Sequence, residues 1–442
     1  MTLRAPPPIG ATQFFAYAAL GAAIKGMTLP LIAYLPPLYS SLPGMTLATV
    51  GLVFMLARLW DIVTDPLLGM WIDRSRPPLG RRKFWILVAT PALMAALWPL
   101  FHPPEQAGAL WLLGMLFVFY IGWTLLTIDH AAWPADLTDD PGERKRLIGW
   151  REWAGVLGML AVLSAPMFVV GKEAPLAQQV AVMAQVLIIL LPLTTLLALW
   201  LLPRHVEPID TRVKSPSLRF GDIWQLVRNS TPVRRLLLAD LASGGAYAAN
   251  SATAFFIMTY YLGVGGQFST IMLCFMLGLA VGLPAFIRLS VRLGSRTSFI
   301  AAMAGSAVAS LCFALLPSGQ AWAPMAVNAL LGFFTGGYQL NLNAEMVRLA
   351  AHDREATGQE RSSLHLALLA MTNKVGYALA IGAVYLLLEL TGVDRNSAAG
   401  MPDWALIGFG MVLPAALFGL SAWAFTRIFS NDVQRELPTA SA

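Results

Sequence analysis

Charge is scarce in this chain. Only 12% of its 442 residues are Asp, Glu, Lys or Arg, where a soluble domain carries about a quarter. With 57% of the residues hydrophobic, a solvated globular surface is excluded. Cysteine is scarcer still. The two present, Cys274 and Cys312, both lie in apolar runs, so buried thiols are expected and no disulfide framework. No Gly-rich loop ending in Lys-Ser/Thr appears, which leaves ATP drive by this chain unsupported. The five histidines are scattered, so no metal-ligand cluster forms, and nothing resembles a Ser–His–Asp constellation. The opening "MTLRAPPPIGATQFF" lacks a cleavable signal pattern, and the apolar run that follows is too long for a signal core. The formal net charge of +6 falls in short loops between apolar runs, so it does not point to a nucleic-acid partner.

What the chain has instead is long apolar runs. Crossing a bilayer takes about 20 residues, and twelve runs approach that length, at 12–39, 46–72, 84–101, 109–133, 151–171, 179–202, 233–262, 268–290, 297–316, 321–348, 362–390 and 404–428. The expected fold is an all-α membrane protein of twelve transmembrane helices. Lys and Arg set its orientation. "DRSRPPLGRRK" holds five of them, "DDPGERKR" three, and Arg204 to Arg235 seven. The alternate loops "SSLPG" and "GVGGQ" hold none, with only Lys172 and Arg395 on that side. Both termini are therefore expected in the cytoplasm. The polar stretch 203–232, rich in Pro, Ser and alternating charge, reads as a cytoplasmic linker with a short amphipathic helix at Leu218–Val227. It separates an N-terminal six-helix half, 1–202, from a C-terminal six-helix half, 233–442, that ends in a short cytoplasmic tail. "LGRRKF" after the second run is echoed by "LGSRTSF" after the eighth. Two pseudo-symmetric halves around such a linker suggest the major facilitator architecture.

The second run contains "RLWDIVTDPLLG", residues 58–69. Arg58, Asp61 and Asp65 share one helix face. A charge at the bilayer centre costs about 2.5–3.5 kcal/mol on insertion scales, so these residues must face a polar cavity and partner one another. Two carboxylates four residues apart can bracket a small hard cation or share a proton. A structural Arg–Asp lock between spans is the third possibility. Thr64 adds a neutral oxygen, and Pro66 frees a backbone carbonyl near Ile62. Asp73 lies at the cytoplasmic edge, where charge is cheap, and with Arg58 reads as a gating or packing element.

"ARLWDIVTDPLLGMWIDRSRPPLGRRKFWIL" closely resembles the glycoside–pentoside–hexuronide:cation symporter family, which includes melibiose permease. The resemblance continues through "LTDDPGERKRLIGWRE" and, more weakly, "EATGQERSS". It implies that Asp61 and Asp65 bind the coupling Na+ or H+. Thr64 stands where the family has asparagine, and Thr124 matches a threonine contributed by the fourth span. Arg151 matches the arginine that opens the fifth span, and Lys374, in "MTNKVGYAL", the lysine of the eleventh. Two departures bear on the substrate. Lys25 replaces the sugar-gripping aspartate of the first span. In the fourth span the family's second acid aligns with Thr127, and a small slip in register brings Asp129 there instead, so Asp129 joins the candidate cation ligands.

Lys25, Arg58, Arg151 and Lys374 are among the cations inside the spans, with Asp61, Asp65, Asp129, Glu152, Asp240 and Glu345 among the acids. Lys25, Arg151 and Lys374 are candidate substrate ligands. For Lys25 and Lys374 the bland alternative is pairing with Asp61, Asp65 or Asp129. Trp133, Tyr338 and Gln339 are further candidates to line the substrate site, Trp133 by stacking. His130 reads as a proton shuttle or a buried, satisfied histidine; Asp240 and Glu345 read as structural partners. The resemblance implies a monomeric secondary active symporter in a bacterial inner membrane, without cofactor. Its partners are the lipid bilayer, the coupling cation and a small polar organic solute, and it works by alternating access. The excess of basic groups favours an acidic solute such as a uronide over a neutral glycoside. The alternatives are a lysolipid-like amphiphile and, from a different class, a non-transporting sensor or a membrane enzyme.

Overall fold

The structure is a computed structural model that describes residues 9–138, 140–171, 174–203, 220–358, 361–391 and 403–428. Lys172, Arg395, most of the linker and the C-terminal tail lie outside the described residues. Every regular element among the described residues is helical. The chain divides into two compact units, Met1–Arg212 and Val213–Ala442.

The first unit holds α1 (Ala11–Gly26), α2 (Leu35–Ser40), α3 (Leu47–Arg74), α4 (Arg81–Phe101), α5 (Ala109–Leu137), α6 (Pro141–Val169) and α7 (Leu176–Leu201). A π-helical stretch, Pro30–Tyr34, precedes α2. The prolines of "LPLIAYLPP" lack the N–H that an α-helix needs, and the wider turn accommodates them. Helix starts are locally encoded. Thr46 accepts a hydrogen bond from the Thr49 amide at 3.1 Å, and Asp140 accepts one from Glu143 at 2.7 Å; each satisfies an otherwise orphan donor. Consequently α6 begins well before the expected 151. Similarly, α4 begins at Arg81, which takes Arg82 and Lys83 out of the predicted loop and into a helix. Within the unit, α1 packs along α6, α3 on α5, and α4 on α5.

The second unit holds α8 (Phe220–Asn229), α9 (Thr231–Phe256), α10 (Phe268–Cys312), α11 (Trp322–Thr335), α12 (Tyr338–Thr357), α13 (Ser362–Leu390), α14 (Asp403–Ile407) and α15 (Leu413–Ile428). The predicted linker helix is present as α8, and Leu226 packs with Leu364 and Leu368 of α13. α9 packs against α13 and α15, and α10 against α11. The long α10 is two helices joined at Gly294, whose φ of 85° and ψ of 159° suit only glycine. The single run expected over 321–348 is interrupted at Gly336 and Gly337, where a Cβ would stand 2.5 Å from the Leu283 amide nitrogen and 2.5 Å from the Phe286 ring, so bare glycines let this turn pack on α10.

Among the described residues, nine helical segments are long and apolar enough to cross a membrane. Their outer faces are greasy: Leu110 is 85% exposed, and Phe168 and Trp200 84% each. Water would penalise such surfaces, whereas lipid does not.

Candidate functional site

α3 and α5 run side by side in the first unit. Trp60 stacks on Phe117 with ring centroids 4.8 Å apart. This register brings the Asp61/Asp65 face of α3 against Thr124. The Thr124 hydroxyl lies 3.0 Å from Asp61 Oδ1 and 2.7 Å from Asp65 Oδ1. Asp61 is fully buried and Thr124 nearly so. Two oxygens each within 3.0 Å of one atom are no more than about 6 Å apart, so the carboxylates are close neighbours. A hydroxyl has one proton to donate and cannot fully serve both. Arg58 Nη1 stands 3.5 Å from Asp61 Oδ2, and its guanidinium lies 4.9 Å from the centre of the Tyr120 ring. Thr64 shares the helix, but its hydroxyl turns back to the carbonyls of Trp60 and Asp61, at 3.1 and 3.3 Å. The Thr127 hydroxyl likewise turns onto its own helix, to the Trp123 carbonyl. Asp73 lies in the last turn of α3, and its side chain lies outside the described residues.

Asp129, expected as a cation ligand, sits instead against Arg82, with Arg82 Nη1 at 3.0 Å. Arg82 Nε reaches Asp136 at 2.7 Å. The start of α4 lies beside the end of α5, so one guanidinium bridges two carboxylates of the neighbouring helix. Sequence reading missed Arg82 because "LGRRK" resembles a loop cluster; its position two residues after Gly80, just inside a helix start, was the available signal.

Lys25 also finds a different partner from those expected. Its Nζ lies 3.0 Å from Glu152 Oε2, and Arg151 donates to Glu152 Oε1 from Nη2 and Nε at 2.9 and 3.2 Å. Glu152 follows Arg151 directly, and its role as the shared partner was not foreseen. His130 is the buried, satisfied residue of the bland reading. Its Nε2 is 2.9 Å from the Tyr17 carbonyl, while the Tyr17 hydroxyl donates to the His130 carbonyl at 3.0 Å. Trp133 is only 1% exposed, so its ring is packed into the protein and has no free face for stacking on a solute.

In the second unit Tyr338 is buried, and its hydroxyl donates to Asp240 Oδ1 at 2.9 Å. Asn373 Nδ2 reaches the same oxygen at 3.3 Å. Asp240 is thus a hydrogen-bonded structural partner, and Tyr338 is tied to it. Glu345 pairs with Arg348 one turn on. Gln339 is exposed, and Lys374 is half-buried on α13 beside Asn373. No group of His, Cys, Asp and Glu that could hold a metal is present among the described residues.

Comparison with known proteins sets this geometry in a family. The profile described as MFS/sugar transport protein matches residues 14–431. A candidate 2,3-dihydroxypropane-1-sulfonate exporter of Salmonella typhimurium is 26% identical over 241 residues, 52% of this chain and 51% of that one. The human sodium-dependent lysophosphatidylcholine symporter 1 is 21% identical over 300 residues, 61% of this chain and 55% of that one. The chain thus spans about half the length of these curated relatives. A crystal structure of a point mutant of the nucleoside transporter NupG superimposes with a TM-score of 0.73, at 15% identity, over 95% of this chain and all of that one; at that identity the likeness is one of fold. The profile match covers nearly the whole chain, and its apolar helices are those of an integral multi-pass membrane protein: the chain belongs to the MFS/sugar transport protein family, of transporters and not enzymes.

Proposed function

We propose that this protein is a secondary active symporter in which Asp61 and Asp65, with Thr124 between them, bind the coupling cation. One observation carries the reading: a single buried hydroxyl serves two carboxylates at 3.0 and 2.7 Å. Two neighbouring carboxylates repel, and the hydroxyl between them brings no charge to offset that. A hard cation between them relieves the repulsion, and the hydroxyl then turns its lone pairs toward it. A proton does the same by a different route. It sits on one carboxyl, donates to the Thr124 oxygen, and leaves the Thr124 hydrogen to the other carboxylate. The site therefore suits Na+ or H+. Arg58, held at Asp61, is the counter-charge that the incoming cation displaces, with Asp73 as a second gating residue at the end of the helix. Thr64 and Asp129 are the further candidates from sequence; the hydroxyl of one turns to its own helix and the carboxylate of the other lies against Arg82, so the proposal rests on Asp61, Asp65 and Thr124.

The wider reading is a twelve-span, two-half monomer with both termini in the cytoplasm of a bacterial inner membrane. The length of α10 and its bend at Gly294, which makes two helices of one, support the larger count. The solute is small, polar and acidic, and is moved by alternating access. Lys25, Arg151 and Lys374 are its proposed ligands, aided by Trp133, Tyr338 and Gln339 in a conformation that frees them. The sulfonate named for the Salmonella relative supports an acidic solute. A second reading, a lysolipid-like amphiphile, draws support from the name of the human relative and from the apolar first span.

The test uses vesicles reconstituted with the protein, loaded by an imposed Na+ or H+ gradient. The single substitutions Asp61→Asn and Asp65→Asn should reduce gradient-driven accumulation to background while protein still inserts and exchange down a solute gradient persists. Full gradient-driven uptake by both variants would remove the two aspartates from the coupling site. Loss of folded yield, alike with and without cation, would make them a structural lock.

A further inference from the structure

Glycines open the space around Glu152. α1 and α6 lie against each other, and a Cβ on Gly158 would overlap the Ala22 carbonyl. A Cβ on Gly21 would stand 2.8 Å from Arg151 Cγ, and one on Gly155 2.6 Å from Lys25 Cγ. Both separations are shorter than real side chains adopt, so the bare glycine faces are what let two cations lie between two closely packed backbones. The cations then converge on one carboxylate and grip both of its oxygens: Arg151 on Oε1 and Lys25 on Oε2. A guanidinium fork and an ammonium around one carboxylate are the donor set for an organic acid group, with one positive charge left over. Nor is the cluster sealed. The side chains of Lys25, Glu152 and Arg151 are 43%, 41% and 21% exposed, against 10% or less for Arg82 and Asp129.

We propose that Lys25 and Arg151 form a binding site for the acid group of a solute, a carboxylate or sulfonate, and that Glu152 fills this site until the solute displaces it. The inference rests on the reading of the chain as a solute transporter and names the chemistry that it selects. Displacement exchanges one acid for another on the same donors. An anionic solute can make that exchange. A neutral one cannot, because its hydroxyls would leave two cations facing no charge while Glu152 gives up both of its partners. Glu152 thus acts as a specificity residue by competing with the solute.

The test is thermal unfolding of the purified full chain at fixed sodium and ionic strength, with glucuronate as the probe and glucose as its neutral control. Glu152→Gln should bind glucuronate roughly tenfold more tightly than the parent, one decade of dissociation constant, and glucose should stabilise neither. Glu152→Ala leaves a gap where the carboxylate stood. Acetate should stabilise that variant but not the parent, and adding Lys25→Gln should abolish the effect. Should Glu152→Gln not fold, Glu152→Asp, whose carboxylate is one methylene shorter, should still bind glucuronate more tightly than the parent. Equal action of glucuronate and acetate on parent and variants, or no action on any of them, would make Glu152 a fixed structural partner and overturn the proposal. A sodium titration of the same samples scores the Asp61/Asp65 site separately, and its failure would leave the anion result standing.

Discussion

Two clusters in the first unit have the same composition and opposite character. Each contains two aspartates and one arginine, and each draws on α5. In one, Arg82 stands between Asp129 and Asp136 and reaches them at 3.0 and 2.7 Å. In the other, the neutral Thr124 hydroxyl stands between Asp61 and Asp65, with Arg58 Nη1 3.5 Å from Asp61 Oδ2. The bridging group makes the difference. A guanidinium has five N–H donors and a fixed positive charge, so it satisfies two carboxylates at once and locks α4 to α5. A hydroxyl has one proton and no charge, so its own contribution positions two carboxylates and adds no positive charge between them. The first arrangement is a lock between helices; the second is the one proposed above to take a cation. Counting acids and bases in the sequence cannot separate the two, because the counts are equal.

The largest effect that would sharpen this contrast is on the locked cluster. Arg82→Ala would take their shared guanidinium from two carboxylates, one of them fully buried. Breaking a buried ion pair from one side costs about 3–5 kcal/mol, comparable with the whole stability margin of many domains. We expect loss of folded yield and a lowered unfolding temperature that sodium does not restore. A well-folded Arg82→Ala protein with lowered cation affinity would break the comparison, since Arg82 and Asp129 would then belong to the cation site.

A smaller effect belongs to the bridging hydroxyl. Thr124→Val keeps the shape of the side chain and removes its oxygen. A hydrogen bond to a charged group is worth about 1.5–3 kcal/mol, and part of that is returned when the cation itself draws the carboxylates together. The sodium or proton concentration that gives half-maximal uptake should rise about tenfold, and Thr124→Ser should restore it. Unchanged coupling in Thr124→Val would mean that the two carboxylates are held by something other than this bridge.

How much of this was legible in the sequence depends on the distance over which each contact acts. The helices were legible because apolar length is a local property, and so was the shared face of Asp61 and Asp65, four residues apart on one helix. Thr124 came only through family resemblance, since nothing local to "GWTLLTID" points toward α3. Asp129 was read as a candidate cation ligand, and its neighbour Arg82 went unseen for a physical reason. A run of basic residues after a span reads as a cytoplasmic loop, yet the helix starts one residue before Arg82 and carries it against α5. The Lys25–Glu152–Arg151 cluster joins helices far apart in sequence. The glycines that permit it, Gly21 and Gly155, look like any others in an apolar run until their neighbours are known.

The smallest expected effect concerns Thr64, which sequence and resemblance both offered as a cation ligand. It lies on the right helix between the two aspartates, so its position alone does not exclude it. Its hydroxyl proton, however, is directed to the Trp60 carbonyl at 3.1 Å and the Asp61 carbonyl at 3.3 Å. That is the ordinary back-bond of a threonine inside a helix. Thr64→Val removes this oxygen while keeping the branched shape. If the hydroxyl serves only its own helix, the cation dependence of uptake should move by less than about threefold, within the few tenths of a kcal/mol that such a local bond contributes. Thr124→Val provides the scale, because the two substitutions remove the same group from neighbouring helices of one site. Equal losses from both would mean that Thr64 turns to face the cation when it binds, and the site would then have two neutral oxygens beside its two carboxylates. A tenfold loss from Thr124→Val beside little change from Thr64→Val would leave one hydroxyl as the neutral ligand, and would assign the coupling site to the face that α3 presents to α5.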